Sequence, residues 1–181
     1  MFVKSPIRRM AGRLATDRRG ATAVEFSLVA LPFLALLGAI IETALVFFAG
    51  MMMEHGLNQS AREIRTGQVQ LAGGSPDAFR TSVCQRTAGL LNCSRLRIDV
   101  RTLASFGGAT DLPVDDDGMV SVEAVSFVPG NPGEIVLVRA FYDWPLVVPN
   151  LGLGLANMSG NRRLLTATTA FRNEPFQEAV Q

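Results

Sequence analysis

The hydrophobic and polar positions divide this chain into one long apolar run and a region of shorter, alternating patterns. The run covers residues 26–53 and contains a single charged side chain, Glu42. Its 28 residues would form a helix about 42 Å long, whereas the hydrocarbon core of a bilayer is ~30 Å thick. The run therefore predicts one transmembrane helix, assigned to residues 21–53. No second run of this length occurs in residues 54–181, which we expect to form a water-soluble domain with its own core.

The first part of this domain has apolar residues spaced three or four positions apart. The stripe consists of Leu57, Ala61, Ile64 and Gln68 or Leu71. Its spacing predicts that the membrane helix continues as an amphipathic helix, whose apolar stripe packs against the rest of the domain.

A second helix is predicted over residues 76–90. Ser75 is a favourable N-cap, and Pro76 suits the first helical position because no N–H partner is needed there. The buried face of this helix would consist of Phe79, Val83 and Leu90.

The remaining segments have the patterns of β-strands. In residues 96–101 apolar and charged side chains alternate, so one face would be buried and the other solvated. The face expected in water holds Arg97, Asp99 and Arg101. Residues 119–127 and 134–144 are apolar, β-branched and joined by a turn rich in Pro and Gly, which predicts an antiparallel hairpin. A last strand is expected at residues 163–171.

Together these elements predict an α+β fold. An N-terminal transmembrane helix would extend into a domain with a short helix and an antiparallel sheet of three or four strands. This outline does not by itself specify a function.

The charges are distributed unevenly along the chain. Residues 1–20 have a net charge of +5, and residues 21–181 have a net charge of −4. A basic cluster just before a membrane span places the N-terminus in the cytoplasm by the positive-inside rule, which sends the domain across the membrane. Because the basic charge is confined to this leader, a nucleic-acid-binding surface is not supported.

A basic leader before an apolar run is also typical of a cleavable secretory signal peptide. Such a peptide has an apolar region of about 7–15 residues that ends at a site of the A-x-A type. Here the apolar run is longer, and no clear A-x-A site closes it. A helix that stays in the membrane is therefore favoured.

The sequence RRGATAVEF, at the entrance to the run, places Glu25 and Phe26 at the fifth and sixth positions after Gly20. This pattern after a short basic leader resembles the processing site of type IV prepilins and pseudopilins. The resemblance implies that a membrane-embedded prepilin peptidase cuts between Gly20 and Ala21 and removes the leader, residues 1–20. A glycine also suits such a site physically, because it has no side chain and favours local unwinding at a helix start.

Glu25 is a charged residue at the start of an apolar helix, and two interpretations of it are open. The pilin resemblance implies that its carboxylate pairs, during assembly, with the ammonium group that cleavage creates on a neighbouring subunit. Alternatively, Glu25 lies in the lipid headgroup region, where the positive end of the helix dipole favours a carboxylate. Because a carboxylate at hydrocarbon depth is costly, the assembly role is the preferred hypothesis.

The longer stretch that begins with this motif resembles the TadE-like family, the pseudopilins of bacterial tight-adherence (Flp) pilus systems. The matching residues are Pro32, Glu42, Phe47 and Phe48. The resemblance covers about residues 15–60, and loosely the closing FRNEPF at 171–176. The cleaved chain would begin with Ala21, whereas major pilins commonly begin with Phe, which favours a minor or accessory pseudopilin. The family implies a pilin-like fold in the bacterial inner membrane, with the domain in the periplasm.

Two residues inside the run affect the helix. Pro32 removes one backbone hydrogen bond, which membrane helices tolerate, so we expect a kink there. Glu42 lies 17 residues beyond Glu25, about 26 Å along an ideal axis, so it would sit at the opposite membrane interface and need no partner. If the span is shifted toward Met53, Glu42 lies at mid-membrane instead and should pair with another subunit or helix.

The two cysteines, Cys84 and Cys93, lie on the second helix and just beyond its end. In an oxidising periplasm we expect an intramolecular disulfide that joins this helix to the first strand, and the alternative is two reduced, buried thiols. Their spacing is not C-x-x-C, which argues against a redox-active or zinc-binding role.

No set of residues has the pattern of a catalytic or cofactor site. Residues 115–117 are all Asp, but the alternate ligands and distal Glu of a calcium loop are missing, so a solvated acidic turn is favoured. His55, the single histidine, has no Ser or Cys nearby that would complete a triad. We therefore expect no metal, no other cofactor and no enzymatic activity.

Two functions from different classes are left. The first is a minor pseudopilin, cut by prepilin peptidase, that supports assembly of a tight-adherence pilus and either stays in the membrane or enters the pilus. Its partners would be prepilin peptidase, other pilins or pseudopilins, pilus-machinery proteins and membrane lipid. The second is an uncleaved, membrane-anchored periplasmic module that binds a ligand or acts as a scaffold.

Overall fold

A computed structural model describes residues 20–87, 89–108, 120, 125–147 and 154–177. The chain divides into two compact units, Met1–Ile41 and Glu42–Gln181. The elements are helix α1 (Ala21–Arg65), the single turn α2 (Gln68–Leu71), helix α3 (Pro76–Gln85), and strands β1 (Arg97–Leu103), β2 (Ile135–Pro145) and β3 (Arg162–Arg172). The predicted α+β class, with a long apolar helix, a short helix and an antiparallel sheet, is confirmed with three strands. The leader before Gly20 and the acidic residues 115–117 lie outside the described residues.

Helix α1 contains 45 residues and includes both the apolar run and the amphipathic stripe. Leu57, Ala61 and Ile64 are buried, as predicted. The expected burial of Leu71 is wrong, because α1 ends at Arg65 and the chain turns at Gly67, whose φ is 79°. Glycine adopts this left-handed conformation without the Cβ clash that other residues meet.

The C-terminal segment returns to the end of α1. The Glu174 N–H donates to the carbonyl of Arg65 at 2.9 Å, and the two side chains form an ion pair at 2.8 Å. The ring of Phe176 lies directly against Gly67, where an added Cβ would overlap it. These contacts give one of the last carbonyls of α1 a hydrogen-bond donor and attach the closing segment to the helix.

Helix α3 begins as predicted. Ser75 accepts a hydrogen bond from the Ala78 N–H at 3.3 Å, and Pro76 occupies the first helical position. The helix ends at Gln85, earlier than the predicted residue 90. Its buried residues are Phe79, Val83 and Cys84.

Helices α1 and α3 approach closely at Gly56. A Cβ at this position would lie 3.1 Å from the Val83 carbonyl oxygen and 3.2 Å from Cγ2 of Thr87. A residue with a side chain would push the two helices apart, so the close contact depends on glycine.

The sheet has the order β1-β2-β3, and both pairs are antiparallel. The hairpin predicted between residues 119–127 and 134–144 is wrong, because β1 and β3 occupy the two sides of β2. In the described part of the first of these segments, Phe127 instead forms a parallel bridge to Val100 of β1.

The hydrophobic core lies between the helices and one face of the sheet. Its fully buried members include Met53, Leu57, Ile64, Val83, Leu96, Val100, Val136 and Val138.

The other side of β1 was expected to be solvated, and at Asp99 this is wrong. Asp99 is 0 % exposed and pairs with Arg139 of β2, which is also buried. The alternation of charged residues indicates which side chains share a face, but it does not indicate what covers that face.

Candidate processing and assembly site

The predicted cleavage bond lies at the start of α1. Gly20 is exposed, and Ala21 is the first helical residue. Among the described residues, and apart from its chain neighbours, no atom lies within 4 Å of the position that a Cβ of Gly20 would take. An alanine therefore fits at position 20 without a clash, so this substitution tests recognition of the site rather than the fold.

Glu25 and Phe26 follow on the second turn of α1, and both are exposed. Residues four apart are neighbours on a helix surface, so the Glu25 carboxylate lies about one turn from the backbone of Ala21. None of the ion pairs between described residues includes Glu25. The carboxylate is thus accessible to a charged group from outside the chain.

Large apolar side chains cover every side of α1 between Val24 and Ile41, and they are exposed. A helix that is apolar all round requires apolar surroundings, which either lipid or other helices provide. Among the described residues, α1 is the one helix whose length and composition allow it to cross a membrane. This feature is consistent with a membrane-anchored protein.

Helix α1 continues through Pro32, whose side chain is exposed. Proline has no N–H for the carbonyl one turn earlier, and a membrane helix tolerates this loss. The kink expected at this residue stays a prediction.

Glu42 is buried, with 6 % of its surface exposed, and its Oε1 accepts a hydrogen bond from the backbone N–H of Val147. The expectation that an interfacial Glu42 would need no partner is therefore wrong. Val147 belongs to the same chain, 105 residues further along. No local pattern in the sequence connects two residues so far apart. The pairing of Glu42 with another subunit or helix, expected if the span is shifted toward Met53, stays a prediction.

The predicted disulfide is confirmed. Cys84, near the end of α3, is bonded to Cys93 in the short 3-10 turn Cys93–Arg95 that precedes β1. The two Cα atoms are 5.7 Å apart, which is typical of such a bridge. The bond joins α3 to the start of the sheet, as expected from the positions of the cysteines.

A polar cluster between α1 and α3 was not predicted. Arg86 forms an ion pair with Glu63, and Ser82 donates to the other oxygen of the same carboxylate at 3.3 Å. On the same side of α1, Gln59 accepts a hydrogen bond from Arg86 at 3.3 Å, and its amide nitrogen lies 2.7 Å from Nε2 of His55. The spacing of residues 55, 59 and 63 by four positions is the signal that indicates this polar face. Within the described ranges, no group of three His, Cys, Asp or Glu side chains could hold a metal ion.

Comparison with known proteins identifies one part of the chain. Residues 20–62 match the family model of TadE-like proteins. No curated protein and no solved structure matches the chain. The matched segment begins at Gly20 and otherwise lies within α1, so it includes Glu25, Pro32 and Glu42. The resemblance to the TadE-like family is therefore confirmed over this segment.

Proposed function

We propose that this chain, through its TadE-like segment, acts as a minor pseudopilin that supports assembly of a tight-adherence (Flp-type) pilus after cleavage by prepilin peptidase. The observation that carries the proposal is the family match, which begins at Gly20 and continues along an apolar helix with Glu25 on its second turn. The helix would be anchored in the inner membrane with its N-terminus in the cytoplasm and the domain in the periplasm. The role is structural rather than catalytic.

The proposed contribution of Glu25 depends on cleavage. A cut between Gly20 and Ala21 leaves an ammonium group at Ala21, and the exposed Glu25 carboxylate can pair with that group on a neighbouring subunit. Opposite charges attract more strongly in a low-dielectric environment than in water. The pair would therefore align the ends of neighbouring helices where lipid or protein excludes water.

The exposed apolar side chains of residues 24–41 suit two environments. Before assembly they would contact lipid, and afterwards they would contact the helices of other pilins or pseudopilins. Because both environments are apolar, the exchange changes the hydrophobic free energy little, and close packing and polar pairing decide association. Pilus-machinery proteins are the further partners that this proposal includes.

Cleavage is tested by producing the full-length chain with and without the cognate prepilin peptidase and measuring its mass. We expect a product that begins at Ala21 only when the peptidase is present. Gly20→Ala should stay uncut, and since a Cβ at this position meets no atom within 4 Å, misfolding would not explain that result. A wild-type product that keeps residues 1–20 in the presence of the peptidase would contradict the proposal and favour the uncleaved, membrane-anchored module.

Assembly is tested separately by counting surface pili. Glu25→Ala should be cleaved like the wild type but should support fewer pili, because the ammonium of a neighbouring subunit loses its partner. Glu25→Asp is the matched control, since it keeps the charge and should retain more piliation than Glu25→Ala. Normal piliation with Glu25→Ala would show that the carboxylate has no assembly role and would favour the headgroup interpretation.

A further inference from the structure

Part of α1 within the unit Glu42–Gln181 still has large apolar side chains on its surface. Leu45, Phe47 and Phe48 are exposed, and Phe47 has 64 % of its surface accessible. On the other side of the same turns, Val46 and Ala49 are buried in the core. One side of this segment is therefore already covered by the domain, and the outward side is apolar, as expected of an interaction surface.

A further exposed apolar residue, Val147, is hydrogen-bonded to Glu42 at the start of this segment. The N–H of Val147 donates to the Oε1 of Glu42, and the Val147 residue itself is 89 % exposed. The connection between β2 and β3 to which it belongs has no charged residue from Trp144 to Asn161. Val147 and the start of this segment of α1 thus lie together at one end of the domain, with apolar side chains at the surface.

That α1 crosses the bilayer is a premise taken from the proposed function. The length of α1 indicates where this end would lie if the crossing part is residues 21–41, the part of α1 outside the unit Glu42–Gln181, rather than all of residues 21–53. These 21 residues extend about 31 Å, and the hydrocarbon core is ~30 Å thick. Leu45 and Phe47 follow about 5 and 8 Å beyond Glu42 along the axis. The headgroup region on each side is ~5–8 Å thick, so Leu45 falls within it and Phe47 lies at its outer edge. Helical side chains point toward the N-terminus of their helix, so the Phe47 side chain is directed back toward the membrane.

We propose that Leu45, Phe47, Phe48 and Val147 form a lipid-contact patch, by which the domain rests in the headgroup layer of the membrane that α1 crosses. Lipid is the occupant that fits, because the patch includes residues of the helix that would cross the bilayer and contains no charged group. A backbone N–H that is shielded from water needs a partner, since an unsatisfied buried donor is costly. Glu42 provides this partner, and its role in the patch is to hold Val147 next to the start of this segment of α1.

The test uses the full-length chain in vesicles of phosphatidylethanolamine and phosphatidylglycerol that contain brominated lipids as fluorescence quenchers. In a Trp144→Phe background, Val147→Trp or Phe48→Trp introduces a single tryptophan. We expect lipids brominated near the headgroups to remove most of the emission at both positions and the spectra to be shifted to the blue. Val128→Trp is the matched control, because Val128 is also an exposed valine but lies at the other end of the domain. The carbonyl of the next residue, Pro129, accepts a hydrogen bond from Gln70, which follows the C-terminal end of α1. Its emission should keep its intensity.

Leu34→Trp separates the failure of this inference from the failure of the proposed function. If lipids brominated deep in the acyl chains do not quench Leu34→Trp, both the membrane premise and this inference are overturned. If Leu34→Trp is quenched while the two patch reporters behave like Val128→Trp, this inference alone is wrong. A blue shift of the patch reporters without quenching by lipid would also overturn it, in favour of a protein partner.

The assigned role of Glu42 has its own measurement. Glu42→Ala removes the acceptor of the Val147 N–H, so the quenching of Val147→Trp should fall. Phe48→Trp is the internal control, because its position on α1 does not depend on that hydrogen bond. Unchanged quenching of Val147→Trp in Glu42→Ala would contradict the anchoring role.

Discussion

Asp99 on β1 and Arg139 on β2 lie opposite each other in the sheet and form a buried ion pair. Oδ2 of Asp99 accepts hydrogen bonds from Nε and Nη2 of Arg139 at 3.1 and 2.8 Å. Oδ1 accepts from the N–H of Ser126 at 2.9 Å and from Nε of Arg101 at 2.8 Å. The carboxylate therefore connects β1, β2 and the segment that runs beside β1. Because buried charges are costly unless they are paired, the network favours this strand register.

Removal of this carboxylate should destabilise the domain strongly. Asp99→Ala takes away the anion that Arg139 pairs with, and we expect the free energy of unfolding to fall by about 3–5 kcal/mol. Urea unfolding of the full-length protein in detergent micelles, followed by circular dichroism, measures this loss. Asp99→Leu combined with Arg139→Met removes both charges and should cost less. An equal or larger loss in the double variant would contradict the argument.

The contact between Gly67 and Phe176 predicts a second effect on stability. Gly67→Ala would be strained at a φ of 79° and would overlap the Phe176 ring, so we expect a loss of about 1–3 kcal/mol from strain and a further loss from the overlap. Gly73→Ala is the control, since its φ is 87° and its Cβ would meet nothing within 4 Å. The difference between the two urea midpoints isolates the aromatic contact. Equal midpoints would show that Phe176 does not restrict Gly67.

Two glycines of α1 provide a matched pair for the packing of α3. Gly56→Val should lower the free energy of unfolding by about 1–3 kcal/mol, because the added side chain would meet the Val83 carbonyl and Thr87. Gly50→Val adds the same side chain at a position where a Cβ would meet nothing within 4 Å among the described residues, so its effect should be small. Thermal unfolding of both variants compares them directly. Similar losses at the two positions would mean that helix propensity, rather than helix contact, sets the effect.

The disulfide should contribute measurably to stability. A bridge between residues nine positions apart is worth about 2.5 kcal/mol in the chain-entropy model. We expect Cys84→Ala with Cys93→Ala to lower the urea midpoint and to make unfolding insensitive to reductant. The wild type should shift toward the double variant when dithiothreitol is added under unfolding conditions. A wild-type midpoint that reductant does not change would contradict this contribution.

Several elements could be predicted from the sequence because each depends on neighbouring residues. The length of the apolar run predicted the exposed part of α1, and Ser75 with Pro76 predicted the start of α3. The alternation near residues 163–171 predicted β3, which is observed at Arg162–Arg172. The end of α1 was missed, although Gly67 marks it, because the apolar spacing continues past the glycine.

The sequence by itself determined the long apolar helix, the class of fold and the pairing of the two cysteines, since these follow from local periodicity, spacing and the number of cysteines. Only the tertiary structure decided which polar residues are paired and which strands are neighbours. Glu42 binds the backbone of a residue 105 positions away, and Asp99 is buried against a strand that begins far along the chain. Such pairs form because folding removes both partners from water together, and the residues next to each partner in the sequence do not indicate which distant residue it will meet.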